Sequence, residues 1–112
     1  MRGRMTAATL SEGDFLAEID RVLRQRSNLS AIQAALLVAA QLGIASDSRT
    51  FSNKVGVAHA LALRELNALA ETSEFLRISK RDARTLRTHY ALSVQARTLL
   101  QPVISADVEM AV

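Results

Sequence analysis

The sequence predicts a small α+β protein, mainly helical, in which a helix-turn-helix segment precedes a two-stranded β-hairpin. Three observations support this prediction. Leu and Ala dominate the apolar residues, which make up 49% of the 112-residue chain. A glycine, Gly56, separates a short helical pattern from a longer one. Two segments with strand-like alternation flank a basic run at residues 77–87, which holds five cations and a single acid, Asp82.

Chain length and cysteine content limit the classes of protein. A chain of 112 residues fits one domain. We predict a flexible N-terminus at residues 1–9, a single domain at 10–101 and a C-terminal tail at 102–112. The lack of cysteine excludes disulfides, thiolate catalysis and Cys-based metal sites. The longest apolar run, residues 34–40, is far too short to span a bilayer, so we expect a cytoplasmic protein with no membrane partner.

Two helices are predicted in the first half of the chain. The first covers residues 9–26, with Ser11 as N-cap and one apolar face. The second runs from Ser30, as cap, to Leu42, and Gly43 ends it. This second helix is apolar nearly all round, which places it in the core or at an interface. Residues 44–50 are polar and rich in turn formers, which indicates a loop.

The second half predicts the helix-turn-helix, the hairpin and a last helix. A short helix at residues 51–55 and a longer one at about 58–71 flank the turn at Gly56. Strands are expected at residues 75–78 and 88–92, with the turn at 81–84 and with Leu86 continuing the alternation of the second strand. Ser93 caps a final helix at residues 94–101, and Pro102 ends it.

A family resemblance covers roughly residues 29–101. Residues 51–69 read F-S-N-K-V-G-V-A-H-A-L-A-L-R-E-L-N-A-L. This resembles the pattern L-A-x-x-L-G-V-S-x-x-T-V-S-R-x-L-x-x-L of the MarR-like (multiple antibiotic resistance regulator) family of winged-helix transcription factors. Residues 80–84, K-R-D-A-R, are similar to the family's basic wing. The resemblance implies a winged helix that binds double-stranded DNA as a homodimer and regulates transcription. It also leaves room for a small-molecule effector.

Two sets of residues are predicted to contact DNA. In the longer helix, an Arg can bridge guanine O6 and N7, an Asn can pair with adenine, and Ala or Leu can touch thymine methyl groups. On the hairpin, which corresponds to the wing, cations can reach phosphates or the minor groove. The predicted helix contacts are Ala58, His59, Ala60, Leu63, Arg64 and Asn67, and the predicted wing contacts are Lys80, Arg81, Arg84 and Arg87.

A second hypothesis treats the longer helix as a protein-binding surface. An exposed Leu63 beside Ala58 and Ala60 is typical of a helix that a partner protein buries, as in a non-catalytic adaptor. The apolar stripe of the first helix likewise has two interpretations. It either pairs with a second copy of the chain, which would match a palindromic DNA site, or packs on its own core.

Catalysis has little support in the sequence. His59 and His89 are predicted on different elements, without a carboxylate at a ligand-like spacing. None of the phosphate-loop, zinc-protease or nucleophile-elbow patterns occurs. We therefore expect a protein that is not an enzyme and has no cofactor and no metal.

Overall fold

The computed structural model describes residues 12–100. Its elements are, in order, α1 (Glu12–Gln25), α2 (Ala31–Gln41), α3 (Ser48–Val55), α4 (His59–Thr72), β1 (Leu76–Arg81), β2 (Thr88–Leu92) and α5 (Val94–Leu100). The strands β1 and β2 pair antiparallel in a two-stranded sheet. The predicted class, α+β and mainly helical, is confirmed. The predicted termini at 1–9 and 102–112, the cap Ser11 and the helix stop Pro102 lie outside the described residues.

Helix α2 forms the centre of the core, as its sequence predicts. Ser30 caps it reciprocally: Ser30 Oγ accepts from the Gln33 N–H, and the Gln33 side chain accepts from the Ser30 N–H, each at 3.1 Å. Residues 34–39 are all buried, and α1, α4, α5 and β2 pack around this helix. Within residues 12–100, neither α2 nor any other helix is long and apolar enough to cross a membrane.

The hairpin is attached to this core through Tyr90. Its ring is buried, and its hydroxyl donates a hydrogen bond of 2.7 Å to the Leu36 carbonyl oxygen. Burial, helped by the charge of Asp47, raises the pKa of Tyr90 well above its ordinary value. Tyr90 therefore stays a neutral donor, and it fixes β2 against α2.

Helix α3 begins earlier than predicted. Residues 48–50, predicted as part of a loop, form its first turn, and Asp47 is its N-cap. Asp47 Oδ2 accepts from the N–H groups of Arg49 and Thr50, both at 3.0 Å. These two bonds satisfy amide groups that have no partner inside a helix, so the first turn is stable at this position.

The hairpin also differs from its prediction. Strand β1 continues to Arg81, and the connection covers residues 82–87. Asp82 Oδ1 organises this connection by accepting from the N–H groups of Arg84 at 2.8 Å and Thr85 at 3.2 Å. Leu86 was predicted to continue the strand alternation, but it lies in the connection with a positive φ of 63°.

Gly56 forms the turn between α3 and α4 in a left-handed backbone conformation. Gly56 has a φ of 84°, and a Cβ added there meets no atom within 4 Å. Substitution therefore acts through the backbone alone. We expect Gly56→Ala to lower the free energy of unfolding by about 1–2 kcal/mol, the cost of left-handed backbone for a residue with a Cβ.

Urea denaturation of purified variants measures this loss, with Gly56→Asn as the control. Asn tolerates the left-handed conformation better than Ala, so its loss should be clearly smaller. Equal losses for Ala and Asn would contradict a backbone origin.

Candidate nucleic-acid interface

One hydrogen bond links the two predicted sets of contact residues. Arg81, at the end of β1, donates from Nη2 to Oδ1 of Asn67 on α4, with a distance of 2.5 Å. Both side chains lie at the surface, Arg81 exposed and Asn67 half-buried. This hydrogen bond joins the hairpin to the outer face of α4, so a large partner lying on one would contact the other.

The hydrogen bond with Arg81 bears on whether Asn67 can pair with a base. Bidentate pairing with adenine needs the amide oxygen as an acceptor and the amide NH₂ as a donor. In the structure the oxygen of Asn67 already accepts from Arg81. The Arg81 guanidinium has five N–H donors, of which this contact uses one. Asn67 therefore orients Arg81, and Arg81 retains donors for an anionic partner.

Arg64 is the most accessible polar side chain among the predicted helix contacts. It is 73% exposed, and its Nε lies 3.8 Å from Glu65 Oε2. The other carboxylate oxygen of Glu65 accepts from the Ser30 hydroxyl at 3.0 Å. Exposed ion pairs contribute little, so Arg64 can turn toward a partner at low cost. Among the apolar residues predicted to contact DNA, Ala58 and Ala60 are exposed and Leu63 is half-buried.

His59 does not face outward as predicted. It is half-buried, and its Nε2 lies 2.8 Å from the hydroxyl oxygen of Ser48. That hydroxyl is buried and already accepts from the Thr88 N–H at 2.9 Å. The direction of the hydrogen bond between His59 and Ser48 depends on the tautomer of the imidazole ring. His59 thus connects α4 with α3 and β2, and its Nε2 is engaged within the protein.

Burial and neighbouring cations favour the neutral form of the His59 ring. Burial and the cationic side chains of Arg49 and Arg87 lower the pKa of His59 below its ordinary value of 6.5, against an opposing effect of Asp47.

Arg87, predicted to contact DNA, also has a partner within the protein. Its Nη1 donates to Asp47 Oδ2 at 3.0 Å, and its side chain is 43% exposed. Burial acts to raise the pKa of Asp47, but the hydrogen bonds from Thr50 and Arg49 and the charge of Arg87 outweigh it. The pKa therefore lies below its ordinary value. The ionised Asp47 holds Arg87, because β2 brings the two together through its bridge at His89.

Arg49 is a contributor that the sequence reasoning missed. Its Nη2 donates to the Thr85 carbonyl oxygen at 2.9 Å and so supports the hairpin connection from α3. The prediction placed Arg49 in a loop. An Asp directly before Ser-Arg-Thr is a recognisable N-cap signal, and it would have placed Arg49 on the first turn of α3. With Arg87 engaged, the exposed cations of the predicted wing are Lys80, Arg81 and Arg84.

The nearby Asp47, Ser48 and His59 do not form a catalytic arrangement. Ser48 has an exposure of 0%, so a substrate cannot reach its hydroxyl. Asp47 is bound to Arg87 and to two backbone N–H groups, where an orienting carboxylate would contact His59 instead. In the part of the chain that the structure describes, no group of three or more metal-ligating side chains could hold an ion. The geometry favours a structural role for these residues.

Comparison of the chain with protein-family models, with curated proteins and with solved structures finds no match. The resemblance to the MarR-like family therefore stays a prediction from the residues.

Asp47 should contribute measurably to stability. We expect Asp47→Ala to lower the free energy of unfolding at pH 7 by about 2 kcal/mol, roughly half from the lost cap and half from the lost partner of Arg87. Asp47→Asn keeps an oxygen that caps the helix, so its loss should be about half as large.

Urea denaturation at pH 7 and at pH values below 4 tests this assignment. Because the folded-state pKa of Asp47 is lowered, its contribution is complete above the ordinary value of 3.8 and is lost as the pH falls through the folded value. Asp47→Asn should therefore show a smaller acid loss than the wild type. Identical pH profiles would contradict an ionised Asp47.

His59 should make stability depend on pH in a separate window. The unfolded chain binds a proton at His59 near the ordinary pKa of 6.5, whereas the folded protein resists it. The unfolded state is therefore favoured as the pH falls below about 6.5, and the effect is absent above that value.

Thermal melts between pH 5 and 8 at constant ionic strength measure this dependence. His59→Gln removes the titrating group and should flatten the profile between its folded pKa and about 6.5. An unchanged slope in His59→Gln would assign the dependence to another group.

Proposed function

We propose that the chain is a small, non-catalytic winged-helix protein that binds double-stranded DNA, as MarR-like transcriptional regulators do. Helix α4 would enter the major groove, and the basic hairpin would lie on the phosphate backbone or in the minor groove. The observation that carries the proposal is the hydrogen bond between Arg81 and Asn67, because it brings a cation of the hairpin to the outer side of α4.

The charge of the hairpin supports phosphate contact. Lys80, Arg81 and Arg84 are exposed. The acid of this segment, Asp82, directs one carboxylate oxygen to the backbone N–H groups of Arg84 and Thr85, which lowers its pKa. The hairpin therefore presents three exposed cations against one exposed, ionised carboxylate, an excess of positive charge toward a polyanion. Such contacts position a protein on DNA and give salt-dependent affinity, but they do not read sequence.

Sequence selection would come from the first two turns of α4. Arg64 is the side chain with the length and exposure to reach guanine O6 and N7. Ala58 and Ala60 are exposed and fit contacts with thymine methyl groups. With one long polar side chain on this face, we expect modest sequence selectivity and a large electrostatic contribution to affinity.

The adaptor hypothesis finds less support. It needs an exposed apolar patch on α4, and Leu63 is half-buried. Among residues 12–100, the exposed large apolar side chains are Leu16, Leu86 and Val94, and none of them lies on α4. A surface with exposed cations and small alanines fits a nucleic acid better than a protein.

A homodimer remains part of the proposal. Leu16 on α1 is 61% exposed, while Ile19 and Val22 of the same helix are buried against the core. A second copy that covers Leu16 would place two DNA-binding faces about a two-fold axis, as a palindromic site requires.

Removal of two hairpin cations tests the proposed function. We expect Arg81→Ala combined with Arg84→Ala to weaken binding to a random duplex at low salt at least tenfold. The slope of log affinity against log salt should become shallower by about 1.8, because each neutralised phosphate contributes about 0.9. Fluorescence anisotropy of a labelled duplex across a salt series measures both quantities.

A matched control is Arg24→Ala combined with Arg97→Ala, which removes the same charge from exposed positions on α1 and α5. This variant should keep the wild-type slope. If the wild type does not bind duplex DNA, or if both double variants lose equal affinity and slope, DNA binding through the hairpin is refuted.

A further inference from the structure

Leu86 combines two properties that are each uncommon at the tip of a basic hairpin. Its side chain is 55% exposed, although it is large and apolar. Its backbone has a φ of 63°, a left-handed conformation that a residue with a bulky side chain seldom adopts. Strained residues of this kind persist where the surrounding structure holds them, and they concentrate at sites that bind ligands.

The surrounding hydrogen bonds hold Leu86 in this conformation. Its N–H donates to the Asp82 carbonyl oxygen at 2.8 Å. Its own carbonyl oxygen accepts from the Thr88 hydroxyl at 3.0 Å. The adjacent Thr85 carbonyl is bound by Arg49 from α3 at 2.9 Å. The side chain is therefore presented outward from a braced loop, so little backbone entropy is lost when a partner covers it.

The neighbours of Leu86 indicate the chemistry of that partner. Cations precede and follow it in the chain, with exposed Arg84 on one side and half-exposed Arg87 on the other. A matching surface needs an apolar slot bordered by negative charge. The minor groove of a duplex has this form, because its sugar and base walls lie between two rows of phosphates.

A membrane surface also offers apolar and anionic groups, but the magnitudes argue against it. Burial of one Leu side chain strengthens binding by roughly 10- to 150-fold. Even a complete myristoyl chain gives only marginal membrane binding. A single exposed Leu on a short loop is too little for a membrane anchor, whereas it is enough for a side chain that acts within a larger DNA interface.

We propose that Leu86 is an apolar wedge that enters the minor groove and bends the duplex. The proposal rests on the proposed DNA-binding function and adds to it a residue and a deformation of the DNA. Apolar side chains inserted between base steps in the minor groove unstack them and kink the duplex by about 20–90°. The flexible pyrimidine–purine steps would be the preferred places of insertion.

The test compares two substitutions that differ in apolar character. Leu86→Met keeps an apolar side chain of similar reach, whereas Leu86→Asn is polar and tolerates the left-handed conformation. Energy transfer between dyes at the two ends of a duplex reports the bend, and anisotropy reports the affinity. We expect the wild type and Leu86→Met to bend the duplex, and Leu86→Asn to lose the bend and about tenfold in affinity, as burial of a Leu side chain predicts.

Two controls separate this role from a structural one. The Tm of Leu86→Asn should be no lower than that of the wild type, because Asn relieves the strain at positive φ. Val94→Asn replaces another exposed apolar residue, 75% exposed on α5, and should keep both affinity and bend.

The outcomes distinguish the wedge from the function on which it rests. Salt-dependent binding that needs Arg81 and Arg84, with equal bending by the wild type and Leu86→Asn, would overturn the wedge and retain the proposed function. Failure of the wild type to bind duplex would overturn both. Leu86-dependent sedimentation with vesicles of phosphatidylcholine and phosphatidylserine, without any bend in the duplex, would assign Leu86 to a membrane contact and also overturn the wedge.

Discussion

The arrangement of the candidate interface depends on the paired side chains of Asp47 and Ser48. Asp47 caps α3 and binds Arg87 across to the hairpin. Ser48 accepts from the Thr88 N–H at the start of β2 and contacts His59 at the start of α4. Two consecutive residues thereby fix three elements relative to one another. All of these groups are buried or half-buried, so the loss of one partner leaves another polar atom unsatisfied.

The contacts around Asp47 and Ser48 also divide the cations of this region into two groups that the sequence does not distinguish. Arg49 and Arg87 bind inside the protein, to Thr85 and Asp47, and they brace the hairpin. Lys80, Arg81 and Arg84 remain at the surface, where a polyanion would meet them. Because Arg49 and Arg87 brace the hairpin connection, it presents its exposed side chains to a partner in a fixed direction. The strained backbone of Leu86 depends on the same bracing.

Prediction from sequence succeeded where a local pattern has one physical solution. Ser30 was predicted as the cap and caps α2, and α2, predicted in the core or at an interface, is buried in the core. Gly56 takes the positive φ that its position between two helices requires. The sequence did not reveal contacts whose partners lie far along the chain. Helical periodicity does not show that His59 contacts Ser48, and no local pattern shows that Arg87 binds Asp47, 40 residues away.

The sequence by itself determined the α+β class, the order of the elements and the concentration of cations on one hairpin, because these follow from periodicity, capping residues and composition. Tertiary structure alone decided which partners the cations have within the protein, because only folding brings Asp47 to Arg87 and Asn67 to Arg81. It also decided that Leu86 leaves the strand. Hydrogen bonds from Leu86 and Thr88 across the loop hold a conformation that its own side chain disfavours.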